Sequence, residues 1–180
     1  MDPAASGRTE DKVGGRVKEH IIHPILPYFD ERSKILILGS FPSVKSREQM
    51  FFYGHPQNRF WKVVARVFED EVPDTIPEKK AFLTKHRIAL WDVIGACDIM
   101  GSSDASIENV MPNDLSAILD TSDIRGIFVN GRTAEKYYKK YAEQETHQKA
   151  VCLPSTSPAN AAWSLDDLTR FWKEEIRKCL

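Results

Sequence analysis

Two segments of this chain contain aromatic and amide residues of the kinds that form a polar binding pocket. Residues 39–43 (GSFPS) form a turn that follows an apolar run of strand length, residues 35–38. Further on, residues 53–61 (YGHPQNRFW) combine an aromatic residue, Tyr53, with an amide, Asn58, at the start of a helical pattern. An amide side chain both donates and accepts hydrogen bonds. Together the two segments predict a pocket at a sheet edge, with an aromatic wall and an amide beside it.

Two other strand ends have side chains that suit the same pocket. Asn130 ends an apolar run just before Gly131, where backbone can approach a ligand and the next helix would present free N–H groups. Asn-Gly is also a common turn pair, so an ordinary strand-end turn is the alternative. Asp92 follows residues 88–91. It could form a hydrogen bond with the edge of a ligand ring or orient a water molecule, or it could simply cap a loop.

Apolar runs of strand length alternate with longer segments of helical period. We predict strands at residues 34–38, 88–91, 124–129 and 151–153, and helices at residues 58–68, 78–86, 113–119 and 133–141, with a last helix capped by Ser164. Residues 95–109 are polar and Gly/Ser-rich, which predicts a surface loop. This alternation predicts a mostly parallel sheet covered on both faces, with ligands bound beyond the carboxyl ends of its strands. Turns at residues 39–43, 91–92, 130–131 and 154–160 should therefore meet at one rim.

Length and composition limit the class of protein. A chain of 180 residues suits one domain, to which we assign residues 17–180. Residues 1–16 hold almost nothing that could be buried and are predicted to form a disordered tail. A formal net charge of -1 excludes a globally basic nucleic-acid coat protein, while local basic patches stay compatible with it. Since no apolar run approaches the roughly 18 residues of a membrane span, we expect a soluble, cytoplasmic protein with no membrane partner. We also expect a monomer.

The cysteines and histidines offer no recognisable metal or cofactor site. Cys97, Cys152 and Cys179 are widely spaced and form no C-x-x-C pair, so neither a disulfide framework nor an iron-sulfur cluster is expected. The histidines match no metal-ligand spacing, and the chain has no G-x-S-x-G nucleophile elbow. We therefore predict no metal and no cofactor.

Four ordered segments resemble the uracil-DNA glycosylase superfamily, and within it the hypoxanthine-DNA glycosylase (DNA-deoxyinosine glycosylase) family. They are residues 39–43 (GSFPS), 55–63 (HPQNRFWKV), 129–134 (VNGRTA) and 153–160 (LPSTSPAN). The resemblance implies an α/β protein, a three-layer α/β/α sandwich with a central, mostly parallel four-stranded sheet. It also implies a monofunctional DNA glycosylase in base excision repair. Such an enzyme flips a deaminated base, here hypoxanthine first, out of DNA and hydrolyses its N-glycosidic bond to leave an abasic site.

One departure from the related mismatch-specific uracil glycosylases narrows the resemblance. The third residue of their first motif is an asparagine that positions the attacking water, and Phe41 stands there in this chain. The hypoxanthine family similarly lacks that amide. Phe41 could line the pocket or anchor the turn. Asn58 matches a pocket amide of the relatives and could hold the water or the base; a plain helix N-cap is its simpler interpretation, and the two roles are compatible.

The resemblance implies roles for the other motif residues. Candidate catalytic residues are Asn58 and Asn130, and the base pocket would be formed by Gly39, Ser40, Phe41, Tyr53, His55 and Asp92. Tyr53 would stack on the flipped base, or else pack in the core with Phe51 and Phe52. DNA contacts would come from Ser43, Arg132, Ser155, Thr156, Ser157, Pro158 and Ala159, with Pro158 and Ala159 as a minor-groove wedge. An ordinary Pro/Ser loop is the alternative for the last segment.

Other functions fit the same residues. The protein could be a glycosylase for uracil or for thymine mismatches, a non-catalytic reader of damaged DNA, or a hydrolase of free nucleosides or nucleotides. Rates on uracil, thymine-mismatch and inosine duplexes distinguish the first from a hypoxanthine glycosylase. Binding to DNA without base release would indicate the second, and activity on free inosine the third.

Overall fold

The computed structural model describes residues 12–13 and 16–180, with side chains from Val17 onward. In chain order the strands are β1 Lys12–Val13, β2 Arg16–Val17, β3 Glu19–Ile22, β4 Ile35–Gly39, β5 Ile88–Asp92, β6 Ile94–Ile99, β7 Glu108–Pro112, β8 Gly126–Asn130 and β9 Ala150–Leu153. The α-helices are α1 Val44–Gln49, α2 Phe60–Val67, α3 Ile76–Lys85, α4 Ser116–Thr121, α5 Arg132–Tyr137, α6 Glu143–Thr146 and α7 Leu165–Arg177; a 3-10 turn covers Asp104–Ser106, and a π-helical segment, Tyr138–Ala142, joins α5 to α6. Most of the predicted tail, residues 1–16, lies outside the described residues; β1 pairs with β2 in a short antiparallel hairpin.

The central sheet has four parallel strands in the order β5-β4-β8-β9. All residues of β4 are buried, because this strand has a hydrogen-bonded neighbour on each side and a helical layer on each face. Its side chains alternate between two cores, with Ile35 and Ile37 in one and Leu36 and Leu38 in the other. The predicted three-layer α/β/α fold is confirmed.

Helices cover the two faces of the central sheet. On one face, Phe60 of α2 and the fully buried Trp172 of α7 belong to the same core as Ile35. On the other face, Ile118 of α4 and Ala134 of α5 complete the second core. Among the residues described, no helix has both the length and the apolar character that crossing a bilayer would need.

Side-chain caps set the start of α1, α3 and α7, and Ser43 caps α1 by accepting from the Ser46 N–H at 3.2 Å. Ser164 caps α7 as predicted, and its hydroxyl accepts a hydrogen bond from the Asp167 N–H at 3.1 Å. Helix α3 begins two residues earlier than predicted, at Ile76, because Thr75 and Glu78 form a capping box.

The prediction of a surface loop at residues 95–109 is wrong at both ends, because residues 95–99 belong to β6 and residues 108–109 to β7. With β3 they build a second, antiparallel sheet in the order β3-β6-β7. The polar side chains that suggested a loop bond across strands, since Asp98 accepts hydrogen bonds from His20 and Asn109, each at 2.7 Å. Cys97 and Ile99 face the core. Residues 100–107 lie between the two strands and reach the rim of the central sheet.

Candidate active site

The carboxyl ends of the parallel strands open into one cavity of about 520 Å³, a size typical of small-molecule sites. The four turns predicted to meet at one rim all border it. The predicted site residues on its wall are Gly39, Ser40, Phe41, Ser43, Tyr53, His55, Asn58, Asp92, Asn130, Ser155, Thr156, Ser157, Pro158 and Ala159. Arg132 does not border the cavity and is exposed in the first turn of α5. The structure thus brings the predicted residues together, with Arg132 outside the wall.

A hydrogen-bonded bridge joins the two candidate catalytic amides through Thr156. The Thr156 hydroxyl donates to Asn58 Oδ1 at 2.9 Å and accepts from Asn130 Nδ2 at 3.0 Å. The Thr156 N–H donates to Asn130 Oδ1 at 3.1 Å. Because Thr156 has no exposed surface, this bridge is shielded from water and fixes the orientation of both amides.

The bridge leaves the two amides with different free groups. The N-cap of α2 is Arg59, not Asn58, but Asn58 Oδ1 accepts from the N–H of Phe60, the first residue of that helix, at 2.9 Å. The Asn58 NH₂ group has no protein partner among the described residues, on a side chain that borders the cavity. Asn130 bonds to Thr156 with both ends of its amide, which leaves one N–H and one oxygen lone pair to meet a ligand.

The predicted contact between Thr156 and a DNA phosphate does not fit the structure. Its hydroxyl and N–H are both engaged by the amides, and the residue is fully buried. Ser155 and Ser157 differ, because each hydroxyl oxygen accepts from a backbone N–H of the loop and keeps its own O–H to donate. Pro158 and Ala159 are exposed at the tip of the loop, the position that the wedge prediction requires.

Arg59 holds the 154–160 loop against the start of α2, a role that the sequence did not reveal. Its guanidinium donates to the backbone carbonyls of Ser157 at 3.2 Å, Asn160 at 3.0 Å, and Trp163. The Arg59 N–H donates to the Thr156 carbonyl at 3.1 Å. The loop is therefore tied to the helix that begins next to Asn58.

Replacing Arg59 with methionine should loosen this loop while keeping the aliphatic stem of the side chain. Hydrogen bonds from a charged donor typically contribute about 1.5–3 kcal/mol each, so we expect faster hydrogen exchange at the amides of residues 155–160. The same exchange experiment on Arg66→Met is the control, because Arg66 lies on α2, which Arg59 precedes, and its side chain bonds among the described residues only to the exposed Asp166. Equal protection of the loop in both variants would contradict the assigned role of Arg59.

Tyr53 and Phe41 form the aromatic part of the wall. Tyr53 stacks on Phe60, with ring centroids 4.0 Å apart and an interplanar angle of 17°, whereas Phe51 and Phe52 are buried in the core. The Tyr53 hydroxyl is buried and makes no hydrogen bond of standard geometry among the described residues, although the Asn130 side chain lies close to it. Burial, and then the nearby Asp92 carboxylate, hold the pKa of Tyr53 well above its usual range. Phe41 is 8% exposed, so it both lines the cavity and anchors the turn.

A buried histidine, His23, supports Asp92 behind the wall. His23 Nε2 donates to Asp92 Oδ2 at 2.7 Å, and the Ile25 N–H donates to His23 Nδ1 at 3.2 Å. The bond at Nδ1 places the ring proton on Nε2, so the imidazole is neutral and Asp92 is its acceptor. The His23 ring also contacts Phe41 edge-on, with centroids 5.7 Å apart. Asp92 is therefore oriented rather than simply capping a loop.

Gly39 permits the close approach of Asp92 to the strand end. A Cβ atom at this position would lie 2.4 Å from Asp92 Oδ1 and 3.1 Å from the Tyr53 hydroxyl oxygen. A side chain here would displace both groups, so glycine is required by contact.

The loop between β6 and β7 supplies a wall of the cavity that the sequence did not predict. Ser102, Ser103, Asp104 and Ala105 border the cavity. Ser40 Oγ donates to Asp104 Oδ1 at 3.1 Å, and the Val44 N–H donates to Ser102 Oγ at 2.9 Å. The loop is thereby fixed to the turn that follows β4. In the described part of the chain, no group of three or more His, Cys, Asp or Glu side chains could hold a metal ion.

Comparison with known proteins gives the family of this chain. Residues 26–176 match the family model of the uracil DNA glycosylase superfamily. A hypoxanthine DNA glycosylase of Methanosarcina acetivorans is 39% identical over 137 residues, 75% of this chain and 85% of that protein. A hypoxanthine DNA glycosylase of Methanosarcina barkeri is 30% identical over 154 residues, 84% of this chain and 96% of that protein. The solution NMR structure of a proposed uracil DNA glycosylase from Methanosarcina acetivorans has a TM-score of 0.70 and 32% identity, covering 86% of this chain and 98% of its own. This chain belongs to the uracil DNA glycosylase superfamily.

Proposed function

We propose that this protein is a monofunctional DNA glycosylase that excises hypoxanthine from DNA and leaves an abasic site for base excision repair. The observation that carries the proposal is the free NH₂ group of Asn58 at the cavity wall. Phe41 occupies the turn position at which the mismatch-specific uracil glycosylases have an asparagine. Two relatives named hypoxanthine DNA glycosylase, at 39% and 30% identity, support the choice of base. The cavity of about 520 Å³ is large enough for a flipped purine.

The proposed roles follow from the groups that each residue leaves free. Asn58 holds the attacking water or the base with its NH₂, and Thr156 fixes the angle of that amide. Tyr53, supported from behind by Phe60, stacks on the flipped base, a contact typically worth about 1–3 kcal/mol. Asn130 and Asp92 meet the polar edge of hypoxanthine, since its N1–H requires an acceptor and its O6 a donor.

We place the DNA backbone along the 154–160 loop. Ser155 and Ser157 donate their free hydroxyl protons to phosphates, which positions the duplex without reading its sequence. The exposed Pro158 and Ala159 fill the gap left by the flipped base. Arg132, exposed outside the cavity at the start of α5, contacts a phosphate further along the duplex.

We also propose that the enzyme acts as a monomer in the cytoplasm. The strand ends and loops of a single chain form the cavity wall, so the proposed site needs no residue from a second subunit, and its proposed substrate, DNA, is intracellular. Light scattering after size-exclusion chromatography, at enzyme concentrations used for catalysis, tests the oligomeric state; a dimer at those concentrations would contradict it.

A substrate panel tests the proposed function. Single-turnover rates of base release are measured on matched duplexes that contain hypoxanthine, xanthine, uracil or a thymine mismatch, with free inosine as a further substrate. We expect hypoxanthine to be released fastest from the duplexes and free inosine to stay intact. Fastest release of uracil or thymine would instead identify a mismatch glycosylase. Tight binding without release of any base would identify a reader of damaged DNA.

A further inference from the structure

The charges on the cavity wall do not suit a base that leaves as an anion. Asp92 and Asp104 border the cavity, and no Lys or Arg does so among the described residues. A base that departs with the bonding electrons and no proton becomes negatively charged, and nearby carboxylates repel that charge. A base that takes up a proton as it leaves is neutral and meets no such repulsion.

The two carboxyl groups are held in different environments. Asp92 is 4% exposed and accepts a hydrogen bond from His23. Asp104 has no ionic partner among the described side chains; the Ser40 hydroxyl donates to it at 3.1 Å, and the Thr133 side chain lies close to it. A pair of carboxyl groups in different surroundings is the usual arrangement for separate acid and base roles in one site.

Asp104 is placed where a flipped purine would be in reach. Its loop is bound to the turn after β4 through Ser40, and Thr133 belongs to the first turn of α5, directly after β8. It therefore lies over the carboxyl edge of the two middle strands of the sheet. Asn58 and Thr156 reach the same cavity from other elements, the start of α2 and the loop after β9.

We propose that Asp104 is the general acid of the reaction and protonates the departing hypoxanthine at N7, an inference that rests on the proposed function. The proton of the Asp104 carboxyl passes to N7, the C1′–N9 bond breaks, and its electron pair enters the purine ring. Hypoxanthine leaves neutral, and Asp104 becomes a carboxylate. Water adds to C1′ and loses a proton to solvent, and solvent returns a proton to Asp104. Uracil has no N7, so this route favours purines.

The surroundings of Asp104 hold its pKa above the ordinary value of an aspartate. Desolvation by the cavity walls raises the pKa of Asp104; the hydroxyl groups of Ser40 and Thr133 oppose this, and the nearby Asp92 adds to it. Asp104 is exposed at the cavity mouth in the free protein, so docked DNA would strengthen the desolvation. Other titratable neighbours are Cys97 of β6 and Tyr137 of α5. Arg47 of α1 donates instead to the carbonyls of Pro42 and Gly101.

The rate of hypoxanthine release should depend on pH, because only the protonated Asp104 carboxyl can act as the acid. The protonated fraction of Asp104 falls as pH rises through its raised pKa, so release of hypoxanthine should slow with rising pH on that limb. Asp104→Asn keeps an oxygen to accept from Ser40 and cannot deliver a proton. A general acid contributes typically 10²–10⁴-fold, so we expect release from an inosine duplex to fall at least about 10²-fold and to lose that pH limb. Asp104→Glu should restore part of both.

The experiment measures single-turnover rates at saturating enzyme over a range of pH. Asp120→Asn is the matched control, because Asp120 is an exposed aspartate of α4 outside the cavity. A second arm gives the wild-type enzyme a duplex with 7-deazahypoxanthine, which has carbon in place of N7 and should react at least about 10²-fold slower than hypoxanthine.

Two results would overturn the role of Asp104. One is an Asp104→Asn rate and pH profile that match those of the wild type. The other is release of 7-deazahypoxanthine as fast as hypoxanthine. In both, the wild type still releases hypoxanthine, so the proposed function stands. A wild-type protein that releases no hypoxanthine contradicts the proposed function itself.

Discussion

Asn58→Ala is expected to lower the single-turnover rate of hypoxanthine release by about 10²–10³-fold, the usual cost of removing one positioned donor from an active site. The reason is the asymmetry of the Asn58 amide. Its oxygen is engaged by Thr156 and Phe60, and its NH₂ is the part left for water or base. Rates are measured on an inosine duplex with enzyme in excess, so that DNA affinity does not limit them.

The alanine variant also removes the acceptor of the first N–H of α2, which costs typically about 1 kcal/mol of stability. Asn58→Asp separates the two effects. An aspartate keeps an oxygen for the Phe60 N–H and the Thr156 hydroxyl, and it removes the NH₂. We expect a melting temperature close to that of the wild type and a rate as low as that of Asn58→Ala. An Asn58→Asp enzyme as active as the wild type would show that the NH₂ group has no part in the reaction.

Thr156→Val is expected to damage both the stability and the rate. The substitution preserves side-chain shape and removes the hydroxyl that joins Asn58 to Asn130. The N–H of the half-buried Asn130 then loses its partner, which costs about 1 kcal/mol and is measured by thermal or denaturant unfolding. Because Thr156 sets the angle of the Asn58 amide, the rate should fall about 10²-fold, as small misplacements of a catalytic group do.

Thr156→Ser is the matched variant for this bridge. It keeps the hydroxyl and loses only a methyl group, so the rate should stay near that of the wild type. If Thr156→Ser were as slow as Thr156→Val, packing of the methyl group, not the hydroxyl bridge, would explain the loss.

The central sheet and the position of the site could be predicted from sequence because their signals are local. A run of consecutive apolar residues such as 35–38 has few solutions other than a strand buried on both faces. Once four such strands are parallel, their carboxyl ends share one edge. The turns after β4, β5, β8 and β9 then had to meet, and the cavity is bordered by all of them.

The features missed by sequence analysis depend on distant partners. His23 is indistinguishable from any other histidine until β5 brings Asp92 to within 2.7 Å of it. The strands β6 and β7 contain Gly95, Asp98 and Asn109, residue types that are common in loops. Their partners on the neighbouring strands are not adjacent in sequence, so the local pattern does not indicate a sheet. With those strands hidden, the loop that carries Asp104 was assigned to the surface rather than to the cavity.

Thr156 illustrates the opposite error, in which a local pattern gave the wrong role. A hydroxyl in a Pro/Ser loop suggests a phosphate contact, and the structure instead buries it between two amides. Its neighbours Ser155 and Ser157 keep the predicted accessibility. Alternate burial along such a loop depends on what lies beneath it, here Asn58 and Asn130.

The most direct test of the account follows the oxygen atom of water during base release. The wild-type enzyme is incubated with a duplex that contains one inosine in water enriched in ¹⁸O, and both products are analysed by mass spectrometry. Hydrolysis at C1′ predicts free hypoxanthine at its natural mass and an abasic sugar that has gained one ¹⁸O. An intact duplex at stoichiometric enzyme, or ¹⁸O in the released base, would contradict it.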